Sequence, residues 1–387
     1  YWNMYKYAMN LVAIPYVAKS ISNIVKSIYG KNKKIICLDL DNTLWGGVVG
    51  DDGVEGIKIG PEIPVGQLFL EFQAYCKSLK NIGVVLSVVS KNDEENAIAG
   101  LNHPSGILRP EDFVSIKANW KPKDKNIQCM AQELALGIDS FVFVDDNPAE
   151  REIVEKQIPE VTVPVMDKPE NYISVLDHSG YFEVTTLSKE DTEKTKLYHA
   201  KAEAVRQAAT FSEYSDYLKS LEMTAVLTDF QPMYIQRIAQ LTNKSNQFNL
   251  TTQRYSEEDI RHMQESDEYL CLCGRLLDKF GDNGIVSVVI GKIEDGVLSI
   301  QLWLMSCRVL KRGMEDVMMN ELVKLARKRG IKTIRGYYYP TAKNAMVKDF
   351  FVNEGFTRIE ETEVQNVDEL QVDRYTKREV YIQVKEI

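Results

Sequence analysis

The segment Ile35-Ile36-Cys37-Leu38-Asp39-Leu40-Asp41-Asn42-Thr43-Leu44 places two carboxylates two positions apart, directly after a run with the character of a buried strand. Carboxylates and backbone carbonyls are hard oxygen donors that suit Mg²⁺, an ion that takes few protein ligands and keeps waters or phosphate oxygens. An Asp-rich turn capping a helix has the same local look, so the company of the pair decides its meaning. That company is ordered along the chain: a strand ending in Ser90, a lysine-rich stretch Asn119-Trp120-Lys121-Pro122-Lys123-Asp124-Lys125, and a strand ending in Asp145-Asp146. These are the parts of a phosphoaspartyl transfer site. Asp39 would attack phosphorus, Asp41 would protonate the leaving oxygen, and Mg²⁺ would offset the repulsion between carboxylate and phosphate. Ser90 and a lysine would hold the phosphoryl oxygens as their charge redistributes.

A second set of reactive residues lies in Gln301-Leu302-Trp303-Leu304-Met305-Ser306-Cys307-Arg308-Val309-Leu310-Lys311-Arg312-Gly313-Met314-Glu315, a strand leading through a basic turn into a helix. Backbone amides at such a helix start, with Arg308, Arg312 and Gly313 around them, can receive a phosphate. Cys307 stands at the strand end beside Arg308, and cationic neighbours with a helix N-terminus favour the thiolate, so this thiol could accept an acyl group. The competing reading is a core cysteine, which is applied to Cys37, Cys76, Cys129, Cys271 and Cys273.

The elements that must position these residues follow from hydrophobic periodicity. Apolar runs at 35–40, 83–90 and 141–147 alternate with helical patterns at 66–80 and 125–136, which implies parallel strands joined by crossover helices. Two of the runs end in aspartates, at the carboxyl edge of the sheet, where open α/β folds place their sites. The glycine-rich Trp45–Pro61 stretch allows only a small hairpin flap, so the site is nearly open and a large group or a second domain must complete the pocket. Trp45 in that flap would either stack on a substrate or pack. The pattern changes around 165–195, with a helix through Tyr198–Ala209. The second half reads as a mainly antiparallel α+β layer: helices at 231–242, 313–329 and 343–353, strands at 268–277, 284–290, 297–304 and 332–338, and a last strand near 378–385. The domain boundaries are a lead-in helix over 1–30, a first domain over 31–180, a helical linker over 181–220 and a second domain over 221–387.

Composition limits the partners. The 387 residues carry 47 Lys and Arg against 56 Asp and Glu, a net charge of −9, so no global basic field exists to hold nucleic acid. No apolar run reaches the roughly 20 residues of a membrane helix. Six cysteines without CxxC or regular spacing make neither a disulfide framework nor a zinc site, and the reading is a cytoplasmic protein. The chain starts at Tyr1 without a signal-peptide pattern and reads as a piece of a longer protein.

The order DxD, Ser, Lys and terminal acidic pair resembles the haloacid dehalogenase superfamily. The resemblance implies Asp39 as nucleophile and Mg²⁺ ligand, Asp41 as acid/base that also gives its carbonyl to the metal, and Asp146 as a further ligand supported by Asp145. Lys123 is the choice of lysine, following Trp120 in a WxPK pattern, with Lys121 and Lys125 close by. The second half resembles the N-acetyltransferase-like fold, which commonly binds a pantetheine arm. The fold class is thus α/β, a Rossmann-like haloacid dehalogenase parallel-sheet domain with a minimal cap, plus a C-terminal α+β N-acetyltransferase-like domain.

Taken together, CLDLDNTLWGGVVGDDG, NWKPK, FVDDNPAERE, TNKSNQFNLTTQRY, DKFGDNG and MSCRVLKRGME resemble the FkbH-like proteins. That resemblance implies formation of glyceryl-acyl carrier protein from 1,3-bisphosphoglycerate or a similar acyl phosphate. The acyl group would form a thioester on Cys307, lose its remaining phosphate and pass to the phosphopantetheine arm of the acyl carrier protein. Thr43, Trp45, Asn92, Asn246, Gln247, Asn249, Thr251, Arg254, Asp282, Arg308, Arg312 and Gly313 are assigned to substrate or carrier binding. Two readings compete for some of them: the polar run at 243–254 is also what a capped loop looks like, and Asp282-Asn283-Gly284 is also a hairpin turn. The basic cluster from Lys324 to Arg335 fits either a docking patch for an acidic carrier or a solvated helix face. The competing functions are a plain phosphomonoesterase with a binding domain, and a carrier-docking module without activity.

Overall fold

The computed structural model describes the chain except residues 1–3, 5, 7, 186, 188–196, 199, 201–213, 307, 308, 311 and 387. Two compact units divide it, Tyr1–Ala202 and Glu203–Ile387. Most of the helix expected over Tyr198–Ala209 lies outside the described residues, as do Cys307 and Arg308. Among the described residues no helix is long and apolar enough to cross a membrane.

In the first unit, helix α1 (Ile14–Ile28) precedes strand β1 (Ile35–Leu38), a single helical turn α2 (Val49–Asp52), α3 (Pro64–Asn81), β2 (Val85–Ser90), α4 (Glu94–Leu101), β3 (Phe113–Ala118), α5 (Lys123–Leu134), β4 (Phe141–Val144), α6 (Pro148–Gln157) and α7 (Tyr172–Ser179). The sheet is parallel in the order β3-β2-β1-β4. Continuous burial along IICL, VLSVVS and FVFV explains why these strands read as unbroken apolar runs: both faces are covered. Ile36, Leu38, Leu86, Val88, Val142 and Val144 pack with Phe69, Phe72 and Cys76 of α3. The alternate residues Ile35, Cys37, Val85, Val89, Phe141 and Phe143 pack with Ile127, Met130 and Leu134 of α5 and Val154 of α6. Strand β3 escapes the apolar pattern because Ser115 and Lys117 interrupt it and its pairing with β2 slips between Leu86 and Ser87. Helix α5 begins at Lys123, two residues earlier than the periodicity suggests, because Pro122 adopts the extended backbone of an N-cap.

The second unit comprises α8 (Tyr214–Ser220), β5 (Thr224–Thr228), α9 (Ile235–Lys244), β6 (Phe248–Asn249), α10 (Glu257–Glu265), β7 (Tyr269–Asp278), β8 (Gly281–Glu294), β9 (Val297–Met305), α11 (Met314–Lys328), β10 (Thr333–Tyr338), α12 (Phe350–Asn353), β11 (Thr357–Glu361), β12 (Asn366–Gln371) and β13 (Gln383–Glu386). Its mixed sheet runs β11-β12-β10-β9-β8-β7-β5-β13. Strands β5, β7, β8 and β9 are antiparallel, whereas β10 lies parallel to β9. Helix α11 packs on one face and α9 with α10 on the other. The helix expected at 343–353 is instead a 3₁₀ turn at Ala345–Val347 followed by the short α12. The hairpin turn expected at Asn283-Gly284 is at Lys279-Phe280, since Asp278 pairs with Gly281, and the Asn-Gly pair falls where β8 bulges against Arg275 and Leu277.

One close approach couples the first unit's packing to its acidic edge. A Cβ at Gly100 of α4 would meet Cζ2 and Cη2 of Trp45 at 2.8 Å, and Trp45 is fully buried. Gly100→Val is expected to lower stability by about 1–3 kcal/mol, the cost of overpacking, read as a shifted urea midpoint at constant slope. An unchanged midpoint would contradict this packing.

Candidate active site

Strand β1 is flanked by β2 and β4, so its carboxyl end is surrounded by the ends of both neighbours. The ladder continues past the strand, because Asp39 N donates to Val144 O at 2.9 Å. That bond puts Asp39 beside Asp145, the residue after β4. Carboxylate oxygens of Asp39, Asp145 and Asp146 all lie within 4.8 Å of one another. Lys123, at the first position of α5, reaches this cluster: its Nζ is 2.5 Å from Asp145 Oδ2 and 3.1 Å from Asp39 Oδ1. Lys123 is 3% exposed and Asp145 fully buried. Of the three candidate lysines, Lys123 is the one brought to the aspartates; Lys121 and Lys125 are exposed.

Charge does not balance within this group. Burial pushes the Asp145 carboxyl up to about 6, and the Asp39 charge adds to the rise against the opposing effect of Lys123. Burial, then Asp39, also raises Asp146. For Lys123, burial opposes the charged form, but Asp39 and Asp145 outweigh it and hold the ammonium above its ordinary range. All three shifts favour added positive charge. Asp39 Oδ1 is buried, with the Lys123 ammonium at 3.1 Å and no further hydrogen-bond donor. A hard dication fits such a site: the donors are carboxylate oxygens at coordinating spacing, and one of them has an unfilled lone pair. Asp39 and Asp146, with Asp145 beside them, would hold Mg²⁺, which would supply charge neutralisation between carboxylate and phosphate.

Asp41 turns its side chain away from that cluster. Its Oδ1 accepts from Trp45 Nε1 at 2.9 Å and Val49 N at 3.0 Å, and its Oδ2 accepts from Asn92 Nδ2 at 3.0 Å. The carboxylate among the three close ones is therefore Asp145 rather than that of Asp41. Burial raises the Asp41 carboxyl, and the hydrogen bonds from Val49 and Trp45 counter part of the rise. The donors come from the flap, which closes through paired bonds between Gly46 and Lys58 at 3.0 and 2.7 Å, and from the loop after β2. Asn42, directly after Asp41, has φ 55°, the left-handed conformation that Asn tolerates. Ser90 ends β2 at 2% exposure, next to β1.

Several residues expected to contact substrate make hydrogen bonds within the protein. Trp45 offers no face to a substrate, because it is fully buried and its nitrogen is bound to Asp41. Thr43 is likewise buried, with its hydroxyl donating to Asp146 Oδ1 at 3.4 Å. Asn92 spends its amide on Asp41. Sequence reading gave no role to Arg151 or Tyr172, which the fold brings to the site. Arg151 Nη1 donates to the carbonyls of Asp145 and Asp146 at 2.9 and 2.7 Å, and Tyr172 Oη donates to Asn42 O at 3.2 Å. Arg151 lies in the quoted stretch FVDDNPAERE; the reach of Tyr172 across the fold leaves no local signal.

The second unit gathers its expected site residues differently. Arg312 places Nη1 2.6 Å from Asp278 Oδ2, in a buried ion pair, so its guanidinium is committed within the protein. Gly313 has φ 84° and caps α11, whose first turn carries Glu315 and Asp316, an acidic start that disfavours an incoming phosphate. Asp282 is paired with Arg275 and accepts from Gly284 N, a strand-bulge role. Residues of the polar run at 243–254 hydrogen-bond within the protein: Asn249 accepts from Thr252 N at 2.8 Å, Thr251 donates to Gln301 O at 2.7 Å, and Arg254 bonds Thr242 O and Asn246. Gln247 is half-buried beside them. Strands β9 and β10 pair only over Val297–Ser299 and Thr333–Arg335. Beyond that the 248–251 segment bridges them, with Leu250 N donating to Trp303 O at 3.1 Å and Leu250 O accepting from Tyr339 N at 2.9 Å.

No known family model matches the chain, and no curated protein does. Among solved structures, it is similar to the N-terminal part of the protein BF1531 from Bacteroides fragilis, containing a phosphatase domain complexed with Mg, with 42% identity over 46% of this chain and 48% of that one at TM-score 0.44. The chain thus spans about half the length of that structure. It also matches the ribosomal-protein-S18-alanine N-acetyltransferase from Escherichia coli, with 12% identity over 38% of this chain and 94% of that one at TM-score 0.31. A further match is the PaiA N-acetyltransferase from Thermoplasma acidophilum in complex with coenzyme A, with 15% identity over 38% and 99% at TM-score 0.29. The sheet order and connections define the fold class: a Rossmann-like parallel-sheet unit with a minimal flap, followed by an α+β unit built on a mixed sheet.

A group whose folded pKa is raised stabilises the fold at low pH and loses that contribution as pH rises through the folded value. In chelator-treated protein, the stability difference between Asp145→Asn and the natural chain should move in favour of the Asn variant as pH climbs from the ordinary value of 3.8 to about 6. Denaturation midpoints at stepped pH measure this, and the opposite slope would contradict a net excess of buried negative charge.

Proposed function

We propose that the first unit is a Mg²⁺-dependent phosphatase working through an aspartyl phosphate on Asp39. The observation that supports this reading most is the convergence of Asp39, Asp145, Asp146 and Lys123 at the carboxyl edge of the parallel sheet. In the first step an Asp39 oxygen bonds to phosphorus, the ester oxygen leaves, and Asp41 gives it a proton. In the second, Asp41 takes a proton from water, whose oxygen attacks the same phosphorus, releasing phosphate and restoring Asp39. Lys123 and Ser90 steady the phosphoryl oxygens. Burial, which raises Asp41 toward its protonated form, suits it to the first step.

The finer reading is the one implied by the FkbH-like resemblance: the chain takes a three-carbon acyl phosphate, such as 1,3-bisphosphoglycerate, holds the acyl group as a thioester on Cys307, removes the remaining phosphate at Asp39, and passes the glyceryl group to an acyl carrier protein. Cys307 and Arg308 lie outside the described residues, so this reading rests on sequence motifs. One set of observations favours the plainer alternative of a phosphatase whose second unit only binds: Arg312 is paired with Asp278, acidic residues open α11, and the 248–251 segment occupies the divergence of β9 and β10.

Asp39→Asn should abolish Mg²⁺-dependent phosphate release, and Asp41→Asn should slow it by about 10²–10⁴-fold, the worth of a general acid. Intact mass after incubation with enzymatically generated 1,3-bisphosphoglycerate should show an acyl adduct that Cys307→Ala loses. Phosphate release with no adduct on the natural protein would leave the plain phosphatase; an adduct persisting in Cys307→Ala would reject this thiol.

A further inference from the structure

Trp120 is 69% exposed, an unusual place for the largest apolar side chain. It is nevertheless held in one orientation: Nε1 donates to Asp93 Oδ1 at 2.9 Å, which ties the loop after β3 to the loop after β2. Its backbone is fixed from both sides. Asn119 N donates to Ser90 O at 3.1 Å, Asn119 Oδ1 accepts from Lys121 N and Asn126 Nδ2, both at 3.0 Å, and Pro122 follows. Three residues on, Lys123 is buried and lies 3.1 Å from Asp39. Three residues span at most about 10 Å, so the Trp120 backbone stands within that distance of the Lys123 backbone, at the same sheet edge as Ser90 and Asp39.

We infer that Trp120 is a specificity-determining residue of this site, its exposed indole face supporting the leaving group of a phosphate monoester that presents a flat or methylene-rich surface. This rests on the phosphatase reading of Asp39. A phosphoryl group that reaches Asp39 and Lys123 is bound among buried side chains, so the rest of the ester extends outward from the sheet edge. The small flap between Trp45 and Lys58 is packed by its own tryptophan, whereas the indole of Trp120 is exposed. An indole already fixed by Asp93 loses little freedom when something stacks on it, so contact area converts efficiently into affinity.

The test is steady-state kinetics with Mg²⁺ on p-nitrophenyl phosphate, which is flat, and glycerol 2-phosphate, which is small. For Trp120→Ala the ratio of kcat/KM between the two esters should fall about tenfold, carried mainly by KM for the flat one, a magnitude typical of aromatic contacts. Trp120→Phe, which keeps a flat face, should retain most of the ratio, and Asp93→Ala, which frees the indole without removing it, should lower it in part. An unchanged ratio in Trp120→Ala, or an equal fall on both esters, would overturn the inference while leaving the phosphatase reading in place. If the natural protein turned over neither ester, nor any other phosphate monoester, both would fall together.

Discussion

The first unit is organised around an imbalance of buried charge. Asp39 and Asp145 share the ammonium of Lys123, Asp146 lies within 4.8 Å of both carboxylates, and Asp41 adds its field from nearby. Taking charges out of water costs several kcal/mol per ion unless partners replace the lost hydration. Here the partners are incomplete, and the direction of every resolved shift among Asp41, Asp145, Asp146 and Lys123 is toward holding protons. A fold tolerates such a group only where the surrounding structure is rigid enough to prevent its dispersal.

That rigidity has a visible source. Central strand β1 is covered on both faces, so its end cannot shift without disturbing both cores. Asp39 is hydrogen-bonded to β4, Arg151 clamps the carbonyls of Asp145 and Asp146, and Tyr172 holds the Asn42 turn. Asp41 depends on a different set: Trp45 and Val49 from the flap and Asn92 from the loop after β2. The two aspartates of the DxD motif are thus anchored by separate supports. Asp39 belongs to the sheet, and Asp41 to its loops.

Much of the first unit was legible because parallel strands buried on both faces announce themselves as unbroken apolar runs, and because Asp39, Ser90, Lys123 and Asp145 fall just after or at the ends of regular elements. Strand β3 was missed where Ser115 and Lys117 break its apolar run. For Trp45, Thr43 and Asn92, residue type alone cannot distinguish touching a substrate from holding an aspartate. Burial makes that distinction, and burial is a property of the whole fold. In the second unit the polar run at 243–254 and the Arg312 turn were read by motif, but their partners, Gln301, Asp278 and Thr242 among them, are set by sheet pairing and packing that no local pattern encodes.

Under the proposed function, Asp39, held beside Asp145, Asp146 and Lys123, is the nucleophile toward phosphorus. Rapid acid quench of the Mg²⁺-loaded protein during turnover of a phosphate monoester, followed by peptide mass spectrometry, tests it most directly. The account predicts a phosphoryl adduct on the peptide containing Asp39, appearing before free phosphate and decaying with turnover. Steady phosphate release with no adduct at any quench time, or an adduct mapped to another residue, would contradict it.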